Sequence, residues 1–134
     1  MNNILTAFYR YWKPIILAIF ILILCLIPAS ELNKLNVNIS FGDLAVHFIL
    51  FGVFSSAVYA DMIKPAQNAV PNFSLWFTAL VISVALGLIT ELLQFLLASL
   101  NRSGSLVDLM FDLLGSLSGI GFIRLIKRKP VPAP

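Results

Sequence analysis

Four apolar stretches of this chain are each long enough to cross the hydrocarbon core of a membrane as a helix. They cover residues 11–29, 41–60, 73–98 and 105–126, and a spanning helix needs roughly 17–25 predominantly apolar residues. Only 11% of the residues are charged, against about 25% in soluble proteins. The connections are short, which favours antiparallel neighbours. The sequence therefore predicts an all-α membrane bundle of four transmembrane helices.

The length of 134 residues leaves no room for a separate soluble domain beside four spans. We expect a single four-helix membrane domain over residues 1–126 and a basic, proline-rich cytoplasmic tail over residues 127–134. Any chemistry must then take place within or beside the bundle. Cys25 is the only cysteine and lies in the first apolar stretch, where we expect it to be a packing residue.

Positive charges predict the orientation of the bundle. Of nine Lys and Arg residues, only Lys34 and Arg102 lie at the predicted outer end. The other seven flank the opposite end: Arg10, Lys13, Lys64, Arg124, Lys127, Arg128 and Lys129. The positive-inside rule then places both termini in the cytoplasm and the connectors carrying Glu31 and Arg102 outside. Because these basic residues adjoin apolar runs, we expect no nucleic-acid partner.

A cleaved signal peptide is the alternative interpretation of the first stretch. Arg10 and Lys13 precede an apolar run over residues 15–27, which has about the length of a signal-peptide core. No good small-x-small cleavage site follows this run. An uncleaved transmembrane helix is therefore the favoured interpretation.

Ionisable and polar side chains lie near the predicted outer ends of the last three spans. An ionisable group at the centre of a spanning helix costs roughly 2.5–3.5 kcal/mol, so such a group indicates a functional site. At a rise of about 1.5 Å per residue, His47, Glu91 and Asp112 would share a depth of roughly 10 Å below the outer boundary. We predict that they belong to one ligand-binding layer. Its members are Asp43, His47, Glu91, Gln94, Arg102, Ser105, Asp108 and Asp112.

Small residues share helix faces with these polar groups. Gly87 lies four residues before Glu91, and Gly115 and Gly119 continue the face of Asp112. Small residues let membrane helices approach closely, and Gly115 and Gly119 have GxxxG spacing. We expect these faces of the third and fourth spans to meet, with the carboxylates above and the tight contact below.

Several of the polar residues also have a purely structural interpretation. Asp43 suits the N-cap of the second helix, and Asp108 suits the positive end of the dipole of the fourth. His47 could simply form a hydrogen bond within the bundle. Glu91 is harder to explain in this way, because the apolar run over residues 75–100 holds no other charge. Its carboxylate needs a partner or a proton.

Two segments resemble the signatures of the VanZ-like family of bacterial membrane proteins. They are FGDLAVHFILFGVF and GLITELLQFLLASLNRSGSLVDLMFDLLGSLSGIG, within residues 41–121. The positions that match the family pattern are Asp43, His47, Phe48, Glu91, Gln94, Arg102, Ser105, Asp108 and Gly115. The chain departs from the pattern at Leu44, where the motif has Lys, and at Asp112, where Asn is usual.

The resemblance implies a four-helix domain associated with the bacterial cell envelope, and the founding member of the family is linked with teicoplanin resistance. We therefore expect a multi-pass protein of the bacterial cytoplasmic membrane that contacts membrane lipid. Its outward polar site would recognise an envelope amphiphile, such as a lipid-linked glycan, a phospholipid headgroup or a lipoglycopeptide antibiotic.

Other functions stay open at this stage, and the sequence does not decide whether the protein is an enzyme. His47, Glu91, Asp108 and Asp112 offer nitrogen and oxygen ligands for a divalent metal cofactor that would activate water in a hydrolase or transferase. Without metal, the catalytic candidates are His47, Glu91 and Asp112, as acid and base. A proton-coupled transporter is a third class. Four helices are few for the alternating-access cycle of a transporter, and a homodimer would supply more.

Overall fold

The computed structural model describes residues 3–28, 39–64, 73–97 and 105–127. Side chains are described for all of these residues except 3–8 and 39–43. These residues form four helices and no strand. They are α1 (Asn3–Cys25), α2 (Ile39–Ile63), α3 (Phe73–Leu96) and α4 (Leu106–Ile126). The all-α prediction is confirmed. The connectors with Glu31 and Arg102 and the tail from residue 128 lie outside the described residues.

Three of the helices are long and apolar enough to cross a membrane. These spans are Leu44–Ile63, Phe73–Leu96 and Leu106–Ile126, and they correspond to the last three predicted stretches. Their lengths of 20, 24 and 21 residues match the thickness of a hydrocarbon core. The chain is a multi-pass membrane protein.

The helix α1 differs from the predicted first span. It begins at Asn3, whereas the predicted stretch begins at residue 11, so Pro14 lies in the interior of the helix. Proline has no N–H to donate to the carbonyl four residues earlier, and its ring pushes that turn open. The backbone at Tyr11 is accordingly non-helical, with φ −108° and ψ 17°, and the helix is kinked there. The helix ends at Cys25, three residues before Pro28; proline often follows a helix end because it cannot continue one.

Small residues bring α2 and α4 into backbone contact. A Cβ atom placed on Gly119 would lie 2.1 Å from the carbonyl oxygen of Gly52, and one on Gly115 would lie 2.2 Å from the carbonyl oxygen of Phe48. In the same contact, the Ser55 hydroxyl donates a hydrogen bond of 3.0 Å to the carbonyl oxygen of Ser116. The pair of helices is therefore held by close backbone approach and an interhelical hydrogen bond, as is common in membranes.

This contact corrects the predicted partner of the GxxxG face. Gly115 and Gly119 do not form their tight contact with α3, because α2 presents its own small residues, Gly52 and Ser55, to them. The helix α3 meets α4 one turn nearer to the start of α4, at Asp112. A Cβ on Gly87 would lie 2.9 Å from Asp112 Oδ2. The carboxylate therefore lies at the α3–α4 contact, and the glycine pair lies at the α2–α4 contact.

Buried apolar side chains from all four helices form the core of the bundle. The core consists of Ile21, Cys25, Phe51, Phe54, Val58, Tyr59, Ala79, Leu86 and Ile120. Cys25 is buried among them, which agrees with the predicted packing role. The outer faces of the helices remain apolar, as lipid-facing surfaces require.

Basic residues meet the C-terminal end of α2. The Arg10 guanidinium donates hydrogen bonds to the carbonyl oxygens of Asp61 and Met62, at 3.5 and 3.4 Å. Lys64 pairs with the buried Asp61 carboxylate, and Arg124 lies over the Trp76 ring, 6.0 Å from its centroid. These cations cluster at one end of the bundle, away from the N-terminal halves of α2 and α4.

The glycine contact predicts a position-specific effect of a single methyl group. Gly119→Ala should destabilise the protein by about 1–3 kcal/mol, because the new Cβ would collide with the backbone of α2. Gly121→Ala is the matched control, since a Cβ there meets nothing within 4 Å. Reversible unfolding in mixed detergent micelles measures both variants. Equal stability of the two would contradict this packing.

Candidate functional site

The three side chains His47, Glu91 and Asp112 come together from three different helices. Because α2, α3 and α4 run antiparallel in turn, the start of α2, the end of α3 and the start of α4 lie at the same end of the bundle. One potential ligand atom of each residue lies within 4.8 Å of those of the other two. We call this group the polar triad.

The imidazole of His47 and the carboxylate of Asp112 form the tightest contact of the polar triad. His47 Nδ1 lies 2.8 Å from Asp112 Oδ1, and each side chain is only 1% exposed. The imidazole also stacks in parallel with the Phe51 ring, at 6.3 Å between centroids. A carboxylate that accepts from Nδ1–H fixes both the orientation and the tautomer of a histidine.

Glu91 is joined to the first residue before α4. Its Oε2 accepts a hydrogen bond from the backbone N–H of Ser105. Ser105 is the N-cap of α4, and its hydroxyl accepts a hydrogen bond of 3.1 Å from the Val107 N–H. Capping of this kind satisfies an amide that the first helical turn leaves without a partner. Glu91 and Ser105 therefore fix the end of α3 to the start of α4.

Two carboxylate oxygens of the polar triad are buried without a hydrogen-bond partner among the described residues. They are Glu91 Oε1 and Asp112 Oδ2. Asp112 Oδ2 faces α3 at Gly87, one turn before Glu91. An unsatisfied buried acceptor costs about 1–3 kcal/mol, and more when it is charged. This part of the site can therefore accept hydrogen bonds or coordinate a cation.

Gln94, three residues after Glu91, makes a contact with α1 that the sequence does not predict. Its side chain is 2% exposed, and its Nε2 donates to the carbonyl oxygen of Cys25 at 2.9 Å. It thus donates to a carbonyl in the last residue of α1, and helix ends commonly use side-chain partners in this way. Gln94 joins α3 to α1, and its ligand-binding role stays a prediction.

The remaining predicted site residues lie around the polar triad or outside the described part. Asp108 is half-buried in the first turn of α4 and is not one of the three clustered side chains. Asp43 lies inside α2, which begins at Ile39, so the N-cap interpretation is wrong. The side chain of Asp43 and the whole of Arg102 lie outside the described residues.

Sequence reasoning missed a second buried polar group at the opposite end of the bundle. Asp61 is 2% exposed and pairs with Lys64, while the hydroxyl of Tyr59 is buried without a hydrogen-bond partner among the described residues. The spacing of Asp61 and Lys64, three residues apart on one helix, is a recognisable signal for such a pair. Asp61 provides a matched control for experiments on the polar triad.

The contact between His47 and Asp112 predicts coupled stability effects. His47→Leu and Asp112→Leu should each destabilise the protein by about 3–5 kcal/mol, because each leaves a buried polar partner uncompensated. The loss of unfolding free energy in the double variant should be about 1–3 kcal/mol smaller than the sum of the two single losses. Reversible unfolding of the four proteins measures this difference.

A second cycle controls for non-specific effects. The pair His47→Leu and Asp61→Leu should be additive within about 0.5 kcal/mol, because contacts between distant sites do not couple. These residues lie fourteen positions apart on α2, or roughly 21 Å along its axis. Strict additivity in the His47 and Asp112 cycle would mean that the two side chains do not interact.

The helices and the polar triad lie within a region that matches one protein family. The VanZ/LLP1 family matches residues 4–127, which covers nearly all of α1 and the whole of the three apolar spans. No curated protein and no solved structure has a significant match to the chain. The match confirms the resemblance that the polar spacing of the second, third and fourth helices suggests. The chain belongs to the VanZ/LLP1 family.

Proposed function

We propose that this membrane protein recognises an amphiphile of the bacterial cell envelope through the polar triad. The single observation that carries the proposal is the pair of buried, unsatisfied carboxylate oxygens, Glu91 Oε1 and Asp112 Oδ2. Both are hydrogen-bond acceptors in a site that is otherwise well ordered by His47 and Ser105. A headgroup that carries hydroxyl or ammonium donors would satisfy both oxygens.

The surroundings of the polar triad favour an amphiphile over a small polar solute. Next to Glu91 and Ser105, the side chains of Phe95 and Leu106 are 73% and 81% exposed. In a bilayer these side chains face acyl chains, because a transmembrane helix presents its apolar surface to lipid. A ligand with a tail along these helices and a headgroup at the carboxylates would therefore use both surfaces. Lipid-linked glycans, phospholipids and lipoglycopeptides share this chemistry.

The orientation of the site is part of the proposal. The distribution of Lys and Arg supports four spans, cytoplasmic termini and a polar triad near the outer leaflet of the bacterial cytoplasmic membrane. Arg102 would then lie outside, where its guanidinium can bind phosphate or carboxylate in a bidentate manner. A Ser103→Cys variant that a membrane-impermeant thiol reagent labels only after lysis would contradict this orientation. A contribution to teicoplanin resistance follows from the family resemblance and belongs to the proposal.

The contact between His47 and Asp112 favours a second candidate, an acid–base hydrolase or transferase that acts on an envelope lipid. With Asp112 holding the proton on Nδ1, the other ring nitrogen is the basic one, as in catalytic His–Asp pairs. Glu91 would then position the attacking group or transfer a proton. Binding of an amphiphile is a required step of this reaction as well. Proton-coupled transport and a homodimer stay predictions of the sequence.

Binding measurements on three ligand classes test the proposed recognition. The full chain in lipid nanodiscs should bind saturably a lipid-linked glycan, a natural phospholipid or teicoplanin, each supplied as a fluorescent derivative. Glu91→Gln and Asp112→Asn should each weaken this binding at least about tenfold, because a hydrogen bond to a charged group contributes about 1.5–3 kcal/mol. Fluorescence anisotropy measures the affinity.

Asp61→Asn is the matched control, since it removes another buried carboxylate at the other end of the bundle. It should leave the affinity unchanged. The proposal fails if none of the three classes binds saturably, or if Asp61→Asn weakens binding as much as Asp112→Asn does. If the bound lipid is converted to product and this turnover is lost in His47→Gln, the hydrolase or transferase becomes the preferred function over recognition alone.

A further inference from the structure

We propose that the polar triad is a binding site for a divalent transition-metal ion, with Zn²⁺ as the best-matched species. This inference goes beyond amphiphile recognition and does not depend on it, because metal binding can be measured in the absence of any amphiphile. The argument uses the separation of the ligand atoms, the buried charge and the donor set.

The separation of the ligand atoms is close to that of an occupied site. His47, Glu91 and Asp112 each offer one atom within 4.8 Å of the other two. Zinc bonds of about 2.0–2.2 Å to nitrogen and oxygen place neighbouring ligands roughly 3–3.5 Å apart. Side-chain rotations that shorten a separation of 4.8 Å by about 1.3–1.8 Å would therefore suffice. The three residues come from three helices, so the bundle supplies the framework.

The direction of the unsatisfied oxygens supports a ligand between the helices. Asp112 is 1% exposed, and its unpartnered Oδ2 lies beside α3, 2.9 Å from a Cβ atom placed on Gly87. Glu91 Oε1 is the second buried oxygen without a partner in the described ranges. One cation coordinated by both oxygens would satisfy two acceptors that otherwise lower stability.

The charge of the polar triad requires compensation. Glu91 and Asp112 form no ion pair with a described Lys or Arg, and Lys64 and Arg10 contact the far end of α2. Two carboxylates brought together in a low-dielectric interior repel each other unless a cation or a proton intervenes. A divalent ion balances both charges and leaves the histidine neutral, as a metal ligand must be.

The donor set indicates which ions fit. One imidazole and two carboxylates suit Zn²⁺ and, less closely, Mn²⁺, whereas Mg²⁺ and Ca²⁺ prefer oxygen ligands alone. Because Nδ1 is the imidazole nitrogen beside Asp112, at 2.8 Å from Oδ1, it is the nitrogen that can share an ion with this carboxylate. Three protein ligands also leave a coordination position for water or a headgroup oxygen, as in catalytic zinc sites.

The single histidine makes the test unusually direct. His47 is the only histidine of the chain, so protein labelled with ¹⁵N-histidine and purified without a polyhistidine tag gives the signals of one imidazole. The full chain is stripped with a chelator and titrated with Zn²⁺ alone. We expect binding of about one ion per chain by elemental analysis and a large shift of one imidazole nitrogen signal at saturation.

Matched variants assign the other two ligands. Glu91→Gln and Asp112→Asn should each lower the affinity for Zn²⁺ at least tenfold, on the scale of about 10–100-fold that supporting groups of metal sites contribute. Asp61→Asn, at the other end of the bundle, should bind as the wild-type chain does. The wild-type titration decides the question even if a variant fails to fold.

Three results would overturn the metal site. They are unchanged imidazole signals at saturating Zn²⁺, the absence of stoichiometric metal, and loss of binding in Asp61→Asn equal to that in Asp112→Asn. Stoichiometric Zn²⁺ binding that appears only in Arg102→Gln would also overturn it, because it would identify the guanidinium as the natural counter-charge. Amphiphile binding measured with and without chelator separates failure of this site from failure of the proposed recognition.

Discussion

The placement of a buried histidine, a buried carboxylate and a half-buried one within a membrane bundle is the constraint on which the rest of this structure depends. Such groups are expensive in hydrocarbon unless they contact one another or a ligand. The contact of His47 with Asp112, at 2.8 Å, satisfies part of this requirement. It can form only if α2 and α4 lie very close together. The glycine contact and the hydrogen bond from Ser55 to the Ser116 carbonyl provide that proximity one to two turns below.

The helix α3 adds the third member of the polar triad without an equally tight contact. Gly87 leaves room for Asp112 Oδ2, and one turn later Glu91 reaches the amide of Ser105. A Cβ atom at position 87 would lie 2.9 Å from Asp112 Oδ2, so a larger residue there would displace this carboxylate. The absence of a side chain at Gly87 therefore helps to position Asp112 in the polar triad.

The periodicity of the sequence is sufficient to predict three apolar helices and the shared depth of His47, Glu91 and Asp112. It does not reveal how each helix is rotated about its axis, because that rotation depends on which small residues meet. The sequence predicts that Gly115 and Gly119 pack against α3, yet Gly52 and Ser55 on α2 offer a closer fit. Gln94 shows the same limit, since its partner is a carbonyl at the end of α1. The kink at Tyr11 depends on where α1 begins, and Pro14 alone does not reveal this.

Cross-linking of engineered cysteines measures the convergence of the polar triad most directly. On a Cys25→Ser background, the pairs His47→Cys with Asp112→Cys and Glu91→Cys with Asp112→Cys should react efficiently with a short bifunctional thiol reagent in native membranes. The pair Asp61→Cys with Asp112→Cys should not react. Asp61 lies near the end of α2 and Asp112 near the start of α4, so the two positions are at opposite ends of the bundle. Equal yields for all three pairs, or no product from the first two, would contradict the account of a single buried site formed by three helices.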